Sequence, residues 1–317
     1  MNGIQVLGCG VVSPAGWGIG PFRTAMENGT GLKTVEETGA GGRTWRMRRV
    51  PAREGRPAWM LNPRMRRSGL ISQYAMAAAW EALGGEGGRD GWEGLGVICC
   101  VMGGSVVYSR RFYTEVLEDP STASPLLFPE TVFNAPASHV GAVLGAGGRN
   151  DTLVGDQSMF VAALVQAADW MRRGEVKSCL VIGAEEADWT TAEAGRVFRR
   201  ETVSGEGAAA IWLGRGPGLI GLRRVTEAQV YRRGVTRAEA MAKVRAELGL
   251  ADGMPVFGSG GGAGVRDLET VFGDGRGAMG GWACVAAADA VTSGGSTEAG
   301  VCVAGSNLQG IGAVLGR

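Results

Sequence analysis

The sequence predicts an α/β fold built around a largely parallel sheet with helices on both faces. Apolar runs of strand length alternate with helical segments along all 317 residues, which is the pattern of such sheets. The segment 159–168 is helical in character and apolar nearly all round, so we expect it to lie between two layers of structure. The run 151–189 combines these features in the order strand, sharp turn, helix and strand.

The predicted elements follow one another in a regular order, although no clean internal repeat is visible in the residues. Continuous apolar runs predict buried strands at residues 4–12, 95–102, 178–184, 207–213, 254–259, 300–304 and 310–315. The runs 178–184 and 207–213 are both predicted to be parallel strands. Helical patterns occupy residues 21–28, 69–83, 135–144, 236–248, 266–271 and 279–291. The segment 41–67 is arginine-rich and is predicted to be irregular.

Composition restricts the classes of function that the chain can have. The net charge of +1 provides no overall field that would favour nucleic acid or a membrane surface. The apolar runs are too short to span a bilayer, and no basic stretch precedes the first of them, so we expect a cytoplasmic protein without a signal peptide. The six cysteines show no C-x-x-C spacing and are predicted to be reduced core residues.

His139 is the one histidine of the chain, which excludes a histidine pair and a multi-histidine metal site. We expect this residue to be structural rather than a lone general base. The Gly-rich run 258–264 lacks the Lys-Ser/Thr of a phosphate-binding loop. We therefore expect neither a metal nor a cofactor.

Gln157 occupies the turn 154–158, immediately before the apolar helix. The free N–H groups and the positive dipole end of that helix face the turn, and turns of this kind commonly present a nucleophile. A glutamine amide cannot attack an acyl group, but it can donate and accept hydrogen bonds. The chain is thus predicted to keep the shape of an active site without its nucleophile.

Eight segments in collinear order together resemble the β-ketoacyl synthase family of the thiolase superfamily. They are residues 6–18, 64–83, 124–158, 172–186, 204–215, 256–270, 275–281 and 303–315. The resemblance covers most of the chain and is weaker in its second half. It implies a compact thiolase-like fold of five αβαβα layers made of two pseudo-repeated halves. The halves are 1–215, which includes the basic segment 41–67, and a shortened C-terminal half, 216–317.

The chemistry of that family is a decarboxylative condensation that uses one cysteine and two histidines. Position by position, the resemblance places the cysteine at Gln157, the histidines at Ser259 and near Asp274, and a gate-loop phenylalanine near Ala304. All four functional side chains have been replaced. Glutamine at the first position is typical of chain-length factors, the subunits that pair with an active ketosynthase. The resemblance therefore implies an inactive subunit of such a pair in polyketide, polyene or fatty-acid-like biosynthesis.

Two other hypotheses remain open at the level of sequence. The chain could be a residual acyl enzyme, either a malonyl-carrier-protein decarboxylase, a β-ketoacyl synthase or acyltransferase, or a hydrolase that uses Ser158 or Ser259. It could also be a homodimeric acyl-binding protein without a synthase partner.

The resemblance also implies two partner surfaces. The first is a dimer interface near the nucleophile strand, formed by Asp151, Thr152, Val154, Asp156, Gln157 and Ser158. The second is a basic patch within the arginine-rich segment 41–67, which would bind an acidic acyl carrier protein. The competing interpretation is that this segment is a solvated loop. The candidate residues of the patch are Arg46, Arg48, Arg49, Arg64, Arg66 and Arg67.

Overall fold

A computed structural model describes residues 3–85, 92–199, 202–232, 234–260, 262 and 264–317. Two residues of the predicted turn 260–264, Gly261 and Ala263, lie outside the described residues.

Strands and helices alternate through most of the chain, as the apolar patterning predicted. The strands are β1 (Gln5–Ser13), β2 (Gly16–Trp17), β3 (Val35–Thr38), β4 (Thr44–Arg48), β5 (Leu95–Val101), β6 (Asn150–Val154), β7 (Ser178–Glu185), β8 (Ser204–Gly205), β9 (Gly207–Gly214), β10 (Ile220–Val225), β11 (Gln229–Val230), β12 (Val256–Ser259), β13 (Val265–Asp267), β14 (Glu298–Ala304) and β15 (Gln309–Gly316). The helices are α1 (Ile19–Asn28), α2 (Leu70–Ala82), α3 (Val106–Glu118), α4 (Phe128–Thr131), α5 (Ala135–Leu144), α6 (Met159–Arg172), α7 (Trp189–Gly195), α8 (Arg237–Leu248), α9 (Leu268–Phe272) and α10 (Met279–Thr292).

The sheet shows a repeat that the residues do not reveal. Its N-terminal part has the strand order β6-β5-β7-β9-β1, and its C-terminal part has the corresponding order β13-β12-β14-β15-β10. The directions also correspond, because the first three strands of each part are parallel and the last two alternate. The two parts meet where β1 pairs antiparallel with β10, Gln5 lying opposite Gly221. The chain therefore consists of two pseudo-repeated halves.

Two helices lie between these halves and complete the five-layer arrangement. Helix α6 contacts β5 and β7 of the first half and β15 of the second, while α10 contacts β12 and β14 as well as β9. Helices α2 and α5 cover the outer face of the first half, and α8 covers that of the second. The prediction that 159–168 lies between layers is confirmed by these contacts, which bury most of the apolar surface of α6 and leave Val165 37% exposed.

The sheet is mixed rather than largely parallel, and the predicted parallel direction of residues 207–213 is wrong. Strand β9 runs antiparallel to both β7 and β1, and Glu185 at the end of β7 lies opposite Gly207 at the start of β9. The chain thus returns from the same end of the sheet at which β7 finished. A continuous apolar run indicates a strand that is buried on both faces. It does not indicate at which end of the sheet the chain enters that strand, and so it does not determine the direction of the strand.

The basic segment 41–67 is also more regular than predicted. Residues 44–48 form β4, which pairs antiparallel with β3 and parallel with β8 in a separate three-stranded sheet. Met47 is fully buried beneath this sheet. Arg46 and Arg48 flank this buried residue on β4. Because charged residues are uncommon in buried strands, the sequence did not predict this strand.

A glycine permits the close approach of α10 to the turn before α6. A Cβ atom at Gly280 would lie 2.3 Å from the backbone oxygen of Gln157, which is closer than any side chain tolerates. The N-terminal ends of the two central helices can therefore meet at Gln157. None of the helices in the described ranges has both the length and the apolar character needed to cross a bilayer.

Candidate functional site

The turn between β6 and α6 forms the floor of the candidate site. Asp156, Gln157 and Ser158 are all buried, with Gln157 only 4% exposed. The sharp turn follows from Gly155, whose Cβ would collide with the Met159 side chain at 2.3 Å. The position predicted to replace a nucleophile thus lies inside the protein, at the mouth of the central helix.

Both ends of the Gln157 amide are engaged by the second half of the chain. Nε2 donates to Oδ1 of Asp274 at 3.1 Å, and Oε1 accepts the backbone N–H of Ser306 at 3.4 Å. These contacts also assign the amide orientation, since only Nε2 can donate to a carboxylate. The side chain acts as a bridge between the segment before α10 and the loop between β14 and β15.

The neighbouring side chains hold the same loop, residues 305–308, over the turn. Asp156 accepts the backbone N–H and the hydroxyl of Ser158 at 3.0 and 2.6 Å, and its other oxygen accepts the backbone N–H of Asn307. The hydroxyl of Ser158 in turn accepts from Nε2 of Gln309 at 2.6 Å. The one base that contacts the Ser158 hydroxyl among the described residues is the Asp156 carboxylate, which also accepts the backbone N–H groups of Ser158 and Asn307 and is therefore committed to holding the loop.

Asp274 lies at the centre of a charged cluster that sequence reasoning did not identify. Its Oδ1 also accepts the backbone N–H of Arg276 at 3.0 Å, and its Oδ2 is 3.8 Å from Nη1 of Arg199. Arg199 forms two hydrogen bonds with Glu269, at 3.0 and 2.5 Å. Arg276 adopts a left-handed backbone conformation with φ of 42° and donates to the backbone oxygen of Thr191. In the sequence, Arg199 and Arg276 could not be distinguished from the many surface arginines.

Ser259 and Ala304 lie beside this cluster but do not join it through hydrogen bonds. Ser259 ends β12 and pairs with Val303, so it is next to Ala304 at the same edge of the sheet. Both side chains are buried, and the Ser259 hydroxyl has no hydrogen-bond partner among the described residues. Ser259, a candidate nucleophile of the hydrolase hypothesis, therefore has no hydrogen bond to Asp274.

His139 is held away from the site in a structural contact. Its Nε2 lies 2.8 Å from Oε1 of Glu130, with both side chains largely buried. The interpretation of this histidine as structural agrees with that geometry.

A pocket of about 60 Å³ remains above Asp274. Its lining includes Trp45, Met102, Phe198, Arg276 and Ser306. This volume is well below the roughly 300 Å³ at which small-molecule pockets begin. In the described ranges, no group of three or more His, Cys, Asp or Glu side chains could hold a metal ion.

Two carboxylates next to the site, at the end of β7, are buried. Glu185 accepts the backbone N–H groups of Met102, Gly103 and Gly277, at 3.0, 2.8 and 3.2 Å, and so ties β5 to the start of α10. Glu186 accepts from Val107 at 2.8 Å. Burial raises the pKa of each carboxyl to about 7. The adjacent Asp188 is also buried and pairs with Arg110 at 2.9 Å.

The six arginines predicted as a carrier-protein patch separate into two groups. Arg48 donates to the backbone oxygens of Leu32, Glu269 and Thr270, and Arg49 is paired with Glu37 and Glu206. These two guanidinium groups hold the chain together, so their assignment to a docking patch is corrected. The side chains of the other four are exposed: Arg46, Arg64, Arg66 and Arg67.

The two pseudo-repeated halves, the paired central helices and the turn that presents residue 157 define the class: this is the thiolase-like fold of ketosynthases and chain length factors. No protein-family model and no curated protein sequence matches the chain. Solved structures match it over nearly its whole length.

Three of these structures illustrate the match. The ishigamide ketosynthase/chain length factor aligns with a TM-score of 0.83 at 20% identity, covering 99% of each chain. The ketosynthase ApeO in complex with its chain length factor ApeC, from Xenorhabdus doucetiae, aligns at 0.80 and 14% identity over 99% of this chain and 98% of that one. The AntDE:AntF complex of a type II polyketide synthase acyl-carrier protein with its ketosynthase aligns at 0.79 and 13% identity, again over 99% and 98%. At these identities the likeness concerns the fold.

Proposed function

We propose that the chain is a non-catalytic ketosynthase-like subunit, of the chain-length-factor type, that pairs with an active ketosynthase in polyketide, polyene or fatty-acid-like biosynthesis. The observation that carries the proposal is Gln157, a buried amide at the nucleophile position whose donor and acceptor are both engaged, by Asp274 and Ser306. Such a side chain has neither the reactivity nor the freedom to carry an acyl group. The chain then acts through what it contacts.

The unpaired edge of β6 supports the predicted partner interface. Among the described residues, this strand pairs only with β5. Its other edge is therefore open to a strand of a second chain. Val154 on this strand is 53% exposed. An open strand edge that carries an exposed apolar residue pairs readily with a strand of another protein. Asp151 and Thr152 lie on the same strand, whereas Asp156, Gln157 and Ser158 are buried behind it and would support the interface from within.

An exposed apolar surface continues from this edge. Helix α5 contacts β6, α4 contacts α5, and α3 contacts α4, so the four elements form one connected region. Its large exposed apolar side chains are Tyr113, Leu117, Leu126, Phe128, Val132 and Phe133. Clusters of this kind on a soluble protein mark interaction sites. The complexes of ApeO with ApeC and of AntDE with AntF provide precedents for pairing and for carrier-protein docking within this fold.

Docking of an acidic acyl carrier protein rests on the four exposed arginines. Arg46, Arg64, Arg66 and Arg67 have side chains that extend into solvent. Exposed guanidinium groups steer acidic partners and form bidentate contacts with carboxylates and phosphates.

The residual-enzyme and acyl-binder hypotheses have less support. The carboxylate beside Ser158, Asp156, is engaged in holding the loop 305–308, and the Ser259 hydroxyl has no hydrogen-bond partner among the described residues. The pocket of about 60 Å³ next to Asp274 leaves little room for an acyl chain.

Co-expression with an active ketosynthase from the same organism tests the proposal. We expect a stable one-to-one heterodimer by native mass spectrometry and a product profile that depends on this chain. A lone monomer, together with a ketosynthase that works equally well without it, would contradict the proposal. Malonyl-carrier protein incubated with the pure chain should remain unchanged by mass spectrometry. Turnover that persists after Gln157→Ala would instead favour the residual enzyme.

A further inference from the structure

The basic segment 41–67 places Arg53 in a pocket that the proposed function does not use. The pocket has a volume of about 530 Å³ and lies beside α2, between the end of β1 and the segment that precedes this helix. Its walls include the indoles of Trp17, Trp59 and Trp80, with Glu81 at one side. The volume falls within the range of roughly 300–1,000 Å³ that is typical of small-molecule sites.

Two of the indoles lie within cation–π distance of the Arg53 guanidinium. The Cζ atom lies 5.0 Å from the ring centroid of Trp17 and 5.7 Å from that of Trp59. Trp17 is itself fixed, because its Nε1 donates to the backbone oxygen of Pro51 at 2.9 Å. A guanidinium in such a cation–π contact still has N–H groups that can donate to an acceptor outside the rings.

Donors in this lining are buried without acceptors. Nε of Arg53 and Nε1 of Trp59 have no hydrogen-bond partner in the part of the chain that the structure describes. Glu81 does not supply one, since its two oxygens accept the backbone N–H groups of Val11 and Ile19, each at 2.9 Å. Buried donors without acceptors are costly, and a stacked cation without a hydrogen-bonded counterion adds to that cost. A bound anion would supply that counterion.

We propose that this pocket binds a small organic acid with a flat apolar body, whose carboxylate accepts from Arg53 and whose ring packs against the indoles. The site is independent of the pairing with a ketosynthase, because it lies on the opposite side of α2 from the pairing strand β6 in the sheet order and uses none of the residues that contact Gln157.

Isothermal titration calorimetry with three probes tests the chemistry on the unmodified chain. 2-Naphthoate combines the ring and the carboxylate, 2-naphthamide keeps the ring without the charge, and acetate keeps the charge without the ring. We expect 2-naphthoate to bind at least about tenfold more tightly than the amide, since a hydrogen bond to a charged group is worth that factor, and acetate to show no saturable binding. Equal affinity for the acid and the amide, or no saturable binding of 2-naphthoate, would overturn the proposal.

The variant Arg53→Gln should lose about tenfold in affinity for 2-naphthoate while its affinity for 2-naphthamide stays the same. Arg43→Gln is the matched control, because Arg43 also stacks on a tryptophan, Trp45 at 5.7 Å, but is paired with Glu193 outside the pocket. Trp80→Leu should weaken both naphthalene probes, and it provides a second variant should Arg53→Gln unfold. An affinity for 2-naphthoate that falls equally in the Arg53 and Arg43 variants would place the probe elsewhere and reject the site.

Discussion

Gln157 and Asp274 are joined by a hydrogen bond of 3.1 Å although 117 positions separate them in the chain. The bond connects the start of one central helix with the segment that leads into the other. It links the two halves between the N-terminal ends of the central helices, and it engages one N–H group of the Gln157 amide.

The variant Gln157→Glu tests this contact. It would bring a second carboxylate against Asp274 in a buried position, so we expect a loss of about 3 kcal/mol in the free energy of unfolding at pH 7. The double variant Gln157→Glu with Asp274→Asn removes the repulsion between the two carboxylates and should recover more than half of that loss in urea unfolding. Additive losses in the double variant would show that the two side chains are not coupled.

The variant Asp156→Asn should release the loop 305–308 from the turn. The asparagine oxygen can still accept from Ser158, but its NH₂ group would face the backbone N–H of Asn307, and two donors cannot bond. We expect a loss of about 2 kcal/mol in stability and faster hydrogen exchange of the amides in this loop.

Asp119→Asn is the matched control for that change. Asp119 accepts the backbone N–H and hydroxyl of Ser121 in the same local geometry, at 2.9 and 2.7 Å, but it does so at the surface. Its replacement should leave stability and loop exchange unaltered. Protection of the loop that survives in Asp156→Asn would show that other contacts hold it.

The variant Val154→Lys tests the partner interface. A lysine on the free edge of β6 would bury an unpaired charge when a partner strand docks, so we expect the dissociation constant of the heterodimer to rise at least about tenfold. Val35→Lys provides the control, because Val35 also lies on an edge strand, β3, and is 51% exposed, against 53% for Val154. Equal effects in analytical ultracentrifugation would place the interface elsewhere.

The buried carboxyls Glu185 and Glu186 predict a pH-dependent stability. Their folded-state pKa values of about 7 lie above the ordinary 4.5, so the folded protein binds more protons than the unfolded chain in this interval. The free energy of unfolding should therefore fall as the pH rises from about 4.5 to about 7, by up to about 1.4 kcal/mol per pH unit for each group. Glu186→Gln should flatten the curve measured by urea unfolding, whereas the exposed Glu36→Gln should leave its shape unchanged. A curve of the same slope in Glu186→Gln would contradict the assignment.

The close approach at Gly280 predicts opposite signs for two glycine replacements in helices. Gly280→Ala would drive a Cβ into the backbone oxygen of Gln157, and we expect a loss of about 2 kcal/mol from overpacking. Gly20→Ala in α1 meets nothing within 4 Å and should add up to about 1 kcal/mol through higher helix propensity. Thermal unfolding of both variants checks the pair, and a neutral Gly280→Ala would mean that α10 can shift away from the turn.

The sequence by itself determined the elements whose signal is local. The segment 159–168 has no polar face, and this alone predicts the central position of α6. One histidine in 317 residues rules out a two-histidine mechanism without any coordinates. The turn at Gln157 was likewise predictable, because its residue types lie next to one another in the chain.

Only the tertiary structure decided the relationships that depend on how distant segments meet. The antiparallel direction of β9 follows from the end at which the chain re-enters the sheet, and the apolar pattern does not encode that end. Contacts between distant residues produce three features of this kind. They are the burial of Glu185, the bond from Gln157 to Asp274 and the position of Arg53 against two indoles. A side chain's neighbours along the chain report its secondary structure, but its charge partners and its burial are set by packing, which only the folded chain establishes.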